Sequence, residues 1–295
     1  MNHVPSPIRT NRGRVLTGRW LLTVGVTLAF SVIVLARNPQ KPAQNQQQLV
    51  ARVAPVTQQP ASSNNLEPIA MQSLKAMSDQ LRAATSFSFT ARIMREEPGT
   101  NGQMLDFFRT IRVQVQRPNK MRLMVASDSS TNQVWYDGQN LTMMPESAKF
   151  YTIIPAPPTL DATLAMMKDK MRAHMPLLPF LRTDLYSIAS DRLQSANEVG
   201  TENIGNRQFL HLAFTEPDAD WQLWLGGPNQ ILPRRLAIIY KMIPNQPRLV
   251  IEFSNWNLNA EIPADAFVFS KPQGAVAANW EQLRQRQIQQ GRKAQ

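Results

Sequence analysis

Cysteine is absent from all 295 residues. That excludes disulfide staples, thiol nucleophiles, thiolate-ligated metals and attachment through a lipidated cysteine, so an exported domain built from this chain has to fold on its hydrophobic core. Histidine is nearly absent too, with only His3, His174 and His211. They are far apart and none sits at ligand spacing, so neither a metal site nor a histidine-based triad has support, and His211 reads as an ordinary half-buried strand residue. The 12 glycines build no phosphate-cradling loop, and no GxSxG or P-loop occurs. Asp218 and Asp220 could pair around a cation, but after Pro217 they read as a polar turn. The chain is therefore read as a non-enzyme with no cofactor and no metal.

Acidic residues are missing from residues 1–66. The formal charge of +11 invites a nucleic-acid reading, yet residues 67–270 hold 20 bases and 20 acids, so the excess lies at the two ends of the chain. A nucleic-acid binder concentrates its bases on the folded surface, where they displace counterions from phosphates. No nucleic-acid partner is expected.

What the N-terminal region does carry is an apolar run from Trp20 to Ala36, preceded by Arg9, Arg12, Arg14 and Arg19. A cationic flank before an apolar segment is how a chain enters an export pathway, and the basic side stays cytoplasmic. The run is long for the apolar part of a cleaved signal, roughly 7–15 residues, and barely reaches the roughly 17–25 of a spanning helix. Residues 1–37 are thus a signal peptide or an N-terminal membrane anchor. Either outcome makes the remainder periplasmic, soluble after cleavage or held at the inner membrane by Trp20 to Ala36. Residues 38–66, rich in Gln, Pro, Ala, Ser and Asn, read as a disordered tether. Residues 67–274 form the folded domain, and 275–295 a basic C-terminal tail.

Within the domain, Leu74, Met77 and Leu81 recur at helical spacing. From Phe87 the period becomes two, with Phe87, Phe89, Ala91 and Ile93 on one side, and a second strand follows over Met104 to Gln116. Met121 to Val125 and a hairpin around Asp137 and Gly138 continue the pattern. Thr159 and Asp161 start a helix whose face carries Leu160, Leu164, Met167 and Met171. Strands are expected again at Phe209 to Phe214, Trp221 to Leu225, Arg235 to Met242, Arg248 to Trp256 and Ala266 to Phe269. The fold class is α+β and mainly β: about ten or eleven strands in meander order, forming one strongly curved antiparallel sheet with helices grouped on its concave side.

Apolar side chains dominate the candidate site. Phe87, Phe89, Leu105, Phe107, Ile111 and Trp135, with Trp221, Trp224 and Trp256, could line a cavity, and Met167 and Met171 suit an adaptable lid, because thioethers conform to varied apolar shapes. The same residues could equally be packed core. Arg109 shares the parity of Leu105, Phe107 and Ile111; a bulge at Phe108 that turns it outward, or an ion pair, is expected. Arg117, before Pro118 and Asn119, would sit at a sheet rim.

Several segments together carry a resemblance: SerLeuLysAlaMet at 73–77, SerPheSerPheThr at 86–90, ValGlnArgProAsn at 115–119, TyrAspGlyGlnAsnLeu at 136–141 and PheValPheSerLysProGlnGly at 267–274. Their order resembles that in the periplasmic lipoprotein carriers LolA and LolB. ProAlaProProThr at 155–159, AspTrpGlnLeuTrp at 220–224 and LeuProArgArgLeu at 232–236 are similar, more closely, to a group of predicted periplasmic proteins in the same superfamily. The resemblance implies a half-open antiparallel barrel closed by helices, with a cavity for a lipid, a lipoprotein acyl chain or another amphiphile. It also implies a gating role for Arg117, which matches the arginine that helps hold the lid in the LolA branch. The helix over Pro158 to His174, the tether and the basic tail depart from a freely diffusing carrier, so lipoprotein trafficking does not follow from the fold. Expected partners are a lipid or lipidated protein, or an envelope protein bound as the sensor RseB binds within this superfamily, and the inner membrane if the N-terminal segment is uncleaved.

Overall fold

The computed structural model describes residues 65–128, 130–146, 149–171, 175–226, 231–280 and 282. The signal or anchor, the tether up to residue 64, His174 and the tail beyond 282 lie outside them. The strands are β1 (Asn65–Leu66), β2 (Ser86–Pro98), β3 (Met104–Gln116), β4 (Lys120–Ser127), β5 (Thr131–Tyr136), β6 (Asn140–Pro145), β7 (Phe150–Pro155), β8 (Ser195–Ile204), β9 (Arg207–Thr215), β10 (Ala219–Gly226), β11 (Leu232–Tyr240), β12 (Arg248–Asn257) and β13 (Val276–Ala277). The helices are α1 (Pro68–Ala83), α2 (Leu160–Asp169) and α3 (Leu185–Ser190), with 3₁₀ turns at Leu178–Leu181 and Ala264–Phe267.

All 13 strands belong to one open, curved sheet in the order β1-β8-β9-β10-β11-β12-β2-β3-β4-β5-β6-β7-β13. Neighbours are antiparallel except at the two edges, where β1 lies parallel to β8 and β13 parallel to β7. The long loop between β7 and β8 carries α2, the first 3₁₀ turn and α3, and the antiparallel pairing of β12 with β2 brings the N-terminal and C-terminal halves side by side. Strand alternation sets the core: Phe87, Phe89, Ala91 and Ile93 of β2 and Ile111, Val113 and Val115 of β3 are buried on one face. Ala70, Leu74, Met77 and Leu81 of α1 pack onto that face, together with Leu160, Leu164 and Met167 of α2.

Local chemistry explains the joints. At the β5–β6 hairpin Asp137 Oδ1 accepts from the amides of Gln139 (2.8 Å) and Asn140 (2.7 Å). Gly138 takes φ 99°, and a Cβ there would lie 2.6 Å from the Asn119 side-chain nitrogen, so only glycine fits. The Thr159 hydroxyl caps α2 by accepting from Ala162 N at 3.3 Å. Asp161 Oδ1 then accepts from Thr183 N at 3.0 Å, and its other oxygen from the Thr183 hydroxyl, tying α2 to the segment that leads into α3.

Four strands escape the sequence pattern: β1, β7, β8 and β13. The expected strand at Ala266 to Phe269 is instead the 3₁₀ turn Ala264–Phe267, which drives Phe267 into the core. The expected bulge at Phe108 is absent, since the β2–β3 ladder runs without a shift through Ile93↔Arg109, Met94↔Phe108 and Arg95↔Phe107. Arg109 therefore points to the same face as Ile111, and burial pulls its guanidinium below the usual arginine range. Ordered structure also runs past the expected domain limits, through β1 at one end and through β13 at the other.

Candidate functional site

The concave face is not filled everywhere. A cavity of about 670 Å³ lies between α1, the first 3₁₀ turn and α3 on one side and β10 and β11 on the other. Leu74, Met77, Phe180, Trp221, Leu223 and Ile238 give it an apolar wall. Its polar groups are Lys168, Asp191, Arg192, Glu216 and Tyr240. This size and this mixture suit a small amphiphile, since ligand pockets run about 300–1,000 Å³ and are apolar with a few placed polar groups.

Each wall is held in place by specific bonds. Ser78 Oγ of α1 accepts from Tyr186 N at 3.0 Å, and Gln80 Oε1 accepts from Ile231 N at 2.7 Å, so α1 is pinned to α3 and to the start of β11. Trp221 stacks on Phe214 with ring centroids 3.9 Å apart, and its indole N–H donates to Glu216 Oε1 at 2.8 Å. Asp218 pairs with Arg192 and Asp220 with Lys241, each at 2.9 Å, so the two aspartates diverge to separate cations as a polar turn should. His211 is buried on the opposite face, stacked on Trp224 with centroids 4.1 Å apart and in contact with Glu202. Among the described residues no group of His, Cys, Asp and Glu could hold a metal ion.

Tyr240 is one of the polar groups that line the cavity. Burial pushes its phenol up to about 12, while the charge of Arg95 pulls the other way. A phenol ionises near about 10 in an unfolded chain. The folded value is raised, so the contribution of Tyr240 to stability is complete below about pH 10 and is lost as pH rises towards about 12. A phenolate absorbance titration of the folded protein should show a late step that Tyr240→Phe removes. If the substituted protein keeps that step, Tyr240 is not its source.

Of the residues expected from sequence to line a cavity, Trp221 lines this one and the others do not. Phe87, Phe89 and Ile111 are buried in the packed core, where Phe89 stacks on Trp256 with centroids 4.2 Å apart. Met167 of α2 and Met171 just past its end are buried in the core. Trp135 lies on the face of β5 opposite the buried Val134 and Tyr136, with Phe269 5.2 Å away and the Arg122 guanidinium 5.7 Å over its ring. Leu105 and Phe107 share the inward parity of Ile111, but they sit on the far part of the β2–β3 hairpin, beyond the helices, and are exposed. The cavity residues that sequence reading missed come from α1, α3, β10 and β11. Of the β10 residues only Trp221 was legible, as one of the tryptophans that could line a pocket.

Arg117 is at the other end of α1 from the N-terminal entry. Its Nε donates to the carbonyl of Ala84, the C-cap of α1, at 3.2 Å, and its backbone N–H donates to Thr85 O at 2.7 Å. Its guanidinium lies 5.4 Å over the Phe87 ring. Burial lowers its pKa, and Asp161 opposes that shift. Among the described residues its buried Nη2 has no hydrogen-bond partner. The clasp is to α1 rather than to α2.

No curated protein is similar to the chain. Among solved structures, the lipoprotein LppX of Mycobacterium tuberculosis superimposes with a TM-score of 0.43 at 12% identity, covering 67% of this chain and 100% of that one. LprF from Mycobacterium bovis gives 0.42 at 14% identity, with 68% and 98% covered. A LolA superfamily protein from Nitrosomonas europaea gives 0.33 at 10% identity, with 68% and 97% covered. A family model matches residues 70–279, nearly the whole described sheet and its helices, and on that match the chain belongs to the DUF2092 family of predicted periplasmic proteins.

Proposed function

We propose that this periplasmic-family protein is a non-enzymatic binder that holds the acyl part of a lipid, a lipidated protein or another amphiphile between α1, α3, β10 and β11. The observation that carries the reading is the apolar cavity itself, with Arg192, Glu216 and Tyr240 among the few polar groups of its lining. Each methylene taken from water contributes about 0.8 kcal/mol, so a chain of modest length binds without any catalytic group. Titration of the protein with a fluorescent fatty acid should saturate at one equivalent; uptake that never saturates, or no uptake, contradicts the reading.

Arg117 fits this function as a positioning residue. It fixes the C-terminal end of α1, whose Leu74 and Met77 form part of the cavity wall. A fixed cation that bonds a helix carbonyl in the closed state loses that bond when the helix shifts. Arg117→Ala should therefore raise the ligand dissociation rate severalfold while the unfolding midpoint moves little, and Arg117→Lys should restore part of the slow release. Equal losses in stability and retention would reduce Arg117 to a structural residue.

A second reading, an envelope sensor or scaffold that binds a protein segment, is favoured by one edge of the sheet. Among the described residues β1 covers only Ser195 and Ala196 of β8, and Val199 further along that edge is exposed. An open edge can take an added strand. Glu67 restrains it at one point by accepting from Glu198 N at 2.7 Å.

A further inference from the structure

The β2–β3 hairpin outgrows the sheet that carries it. β2 pairs with β12 only as far as Arg95, and β3 pairs with β4 only from Arg109 onward. The ladder between β2 and β3 continues to Pro98↔Met104. Among the described residues, Glu96–Pro98 and Met104–Phe108 therefore have ladder partners only within this hairpin, a two-stranded ribbon beyond the sheet that Glu96 ties to β12 by accepting from Arg248 N at 2.6 Å. Leu105 is 40% exposed, Phe107 47% and Phe108 40%, and Met242, in the adjacent β11–β12 connection, is 73% exposed. A soluble surface rarely gathers four large apolar side chains at one tip unless something covers them.

The register tells which end of the sheet this is. Asn65 pairs with Ser195, Ser195 with Thr215, Thr215 with Asp220, Ala219 with Tyr240, Ile239 with Arg248, and Leu249 with Arg95. The chain therefore enters the domain from residue 64 at the same end as the ribbon. Tyr240 across from Ala219, Glu216 bonded to the Ala219 carbonyl and Arg192 paired with Asp218 put these polar lining residues of the cavity at that end as well. Upstream, residues 37–64 lead back to the apolar run Trp20 to Ala36 with its arginine flank. A coil of that length has a root-mean-square span on the order of 30 Å, so a retained run keeps this end of the domain close to a bilayer.

We propose that the β2–β3 ribbon and the Met242 turn are a membrane-docking surface, and that the occupant is the lipid bilayer in which Trp20 to Ala36 is held. Leu105, Phe107, Phe108 and Met242 enter the interface between headgroups and acyl chains. Arg92, 5.2 Å over the Phe108 ring and exposed, meets anionic headgroups, while Arg95 at the root of the ribbon is paired with Glu97. Docking sets the cavity facing lipid. The inference uses the retained form of the N-terminal run, and it rests on the cavity reading only for what docking accomplishes.

The absence of cysteine makes the test clean, because one introduced thiol is the only label site. The full chain, reconstituted in vesicles of phosphatidylethanolamine and phosphatidylglycerol, carries a nitroxide at Phe107→Cys, at Met242→Cys or, as the opposite-end control, at Asn206→Cys in the β8–β9 turn. Flotation reports membrane attachment; relaxation by dissolved oxygen against an aqueous nickel chelate reports depth. The expected result is flotation of all three, with the oxygen-to-nickel ratio severalfold higher at 107 and 242 than at 206. Adding Leu105→Ser, Phe107→Ser and Phe108→Ser to the Met242→Cys chain should make position 242 aqueous without preventing flotation. Floating protein whose label at 107 stays aqueous overturns docking and leaves both the anchor and the cavity standing. Failure to float, with an aqueous label, overturns anchor and docking together. A label at 107 shielded from both relaxants reports contact with protein and overturns the lipid assignment.

Discussion

Phe89→Ala should destabilise the protein by about 3–5 kcal/mol while leaving lipid affinity per folded molecule unchanged. Phe89 is 2% exposed. Its ring stacks on Trp256 at 4.2 Å and meets Phe253 at 5.8 Å, and Phe253 reaches Phe180 of the first 3₁₀ turn at 5.0 Å. This chain of rings joins the middle of the sheet to the helical layer, and aromatic pairs add about 0.5–1.5 kcal/mol beyond their buried area. Removing one ring leaves a void that β2, held between β12 and β3, has little freedom to close. Denaturant unfolding measures the loss. A cost below about 1 kcal/mol combined with lost lipid uptake would instead make Phe89 a cavity wall.

The opposite pattern is expected for Ala219→Trp. Ala219 lies directly across from Tyr240 on the inner face and lines the cavity beside Glu216. An indole there occupies space otherwise open to the ligand. Excluding about four methylenes forfeits about 3 kcal/mol, roughly a hundredfold in affinity. Stability should move by no more than about 1 kcal/mol, because Ala219 is only partly buried and the new ring enters existing space. Lipid affinity should fall without loss of fold, and the dissociation constant of a fluorescent fatty acid measures it. Unchanged affinity would move the binding site elsewhere. Together the two substitutions separate filled core from open cavity, a distinction that side-chain type alone does not make.

That distinction also explains how far the sequence could be read. Alternation showed the inward face of β2 from Phe87 to Ile93 and of β3 from Ile111 onward, because these parts lie in mid-sheet with one buried and one wet face, but not that Leu105 and Phe107 are exposed. It missed β8, SerAlaAsnGluValGlyThrGluAsnIle, since an edge strand with a shift between Glu198 and Gly200 has little apolar rhythm to detect. It misread Ala266 to Phe269 because a 3₁₀ turn can bury one aromatic as well as a strand can. β1 and β13 are two residues each, held by partners more than a hundred positions away, and carry no local signal. For the site, Phe87, Phe89 and Ile111 have the residue types of a cavity wall, and the same types make a packed core. What opens the cavity is the placement of α1 and α3 against β10 and β11, a long-range arrangement. Arg117 was legible as a rim cation. Its clasp on the Ala84 carbonyl was not, because the expected lid was α2.

The most direct measurement is native mass spectrometry with lipid extraction on the protein isolated from the envelope of the cell that makes it, run beside Ala219→Trp. One acyl-chain molecule per protein is expected, released on extraction and missing from the substituted chain. Both proteins at the bare mass, with neither taking up added lipid, would contradict a lipid-holding cavity and leave the open β8 edge as the place to look for a protein partner.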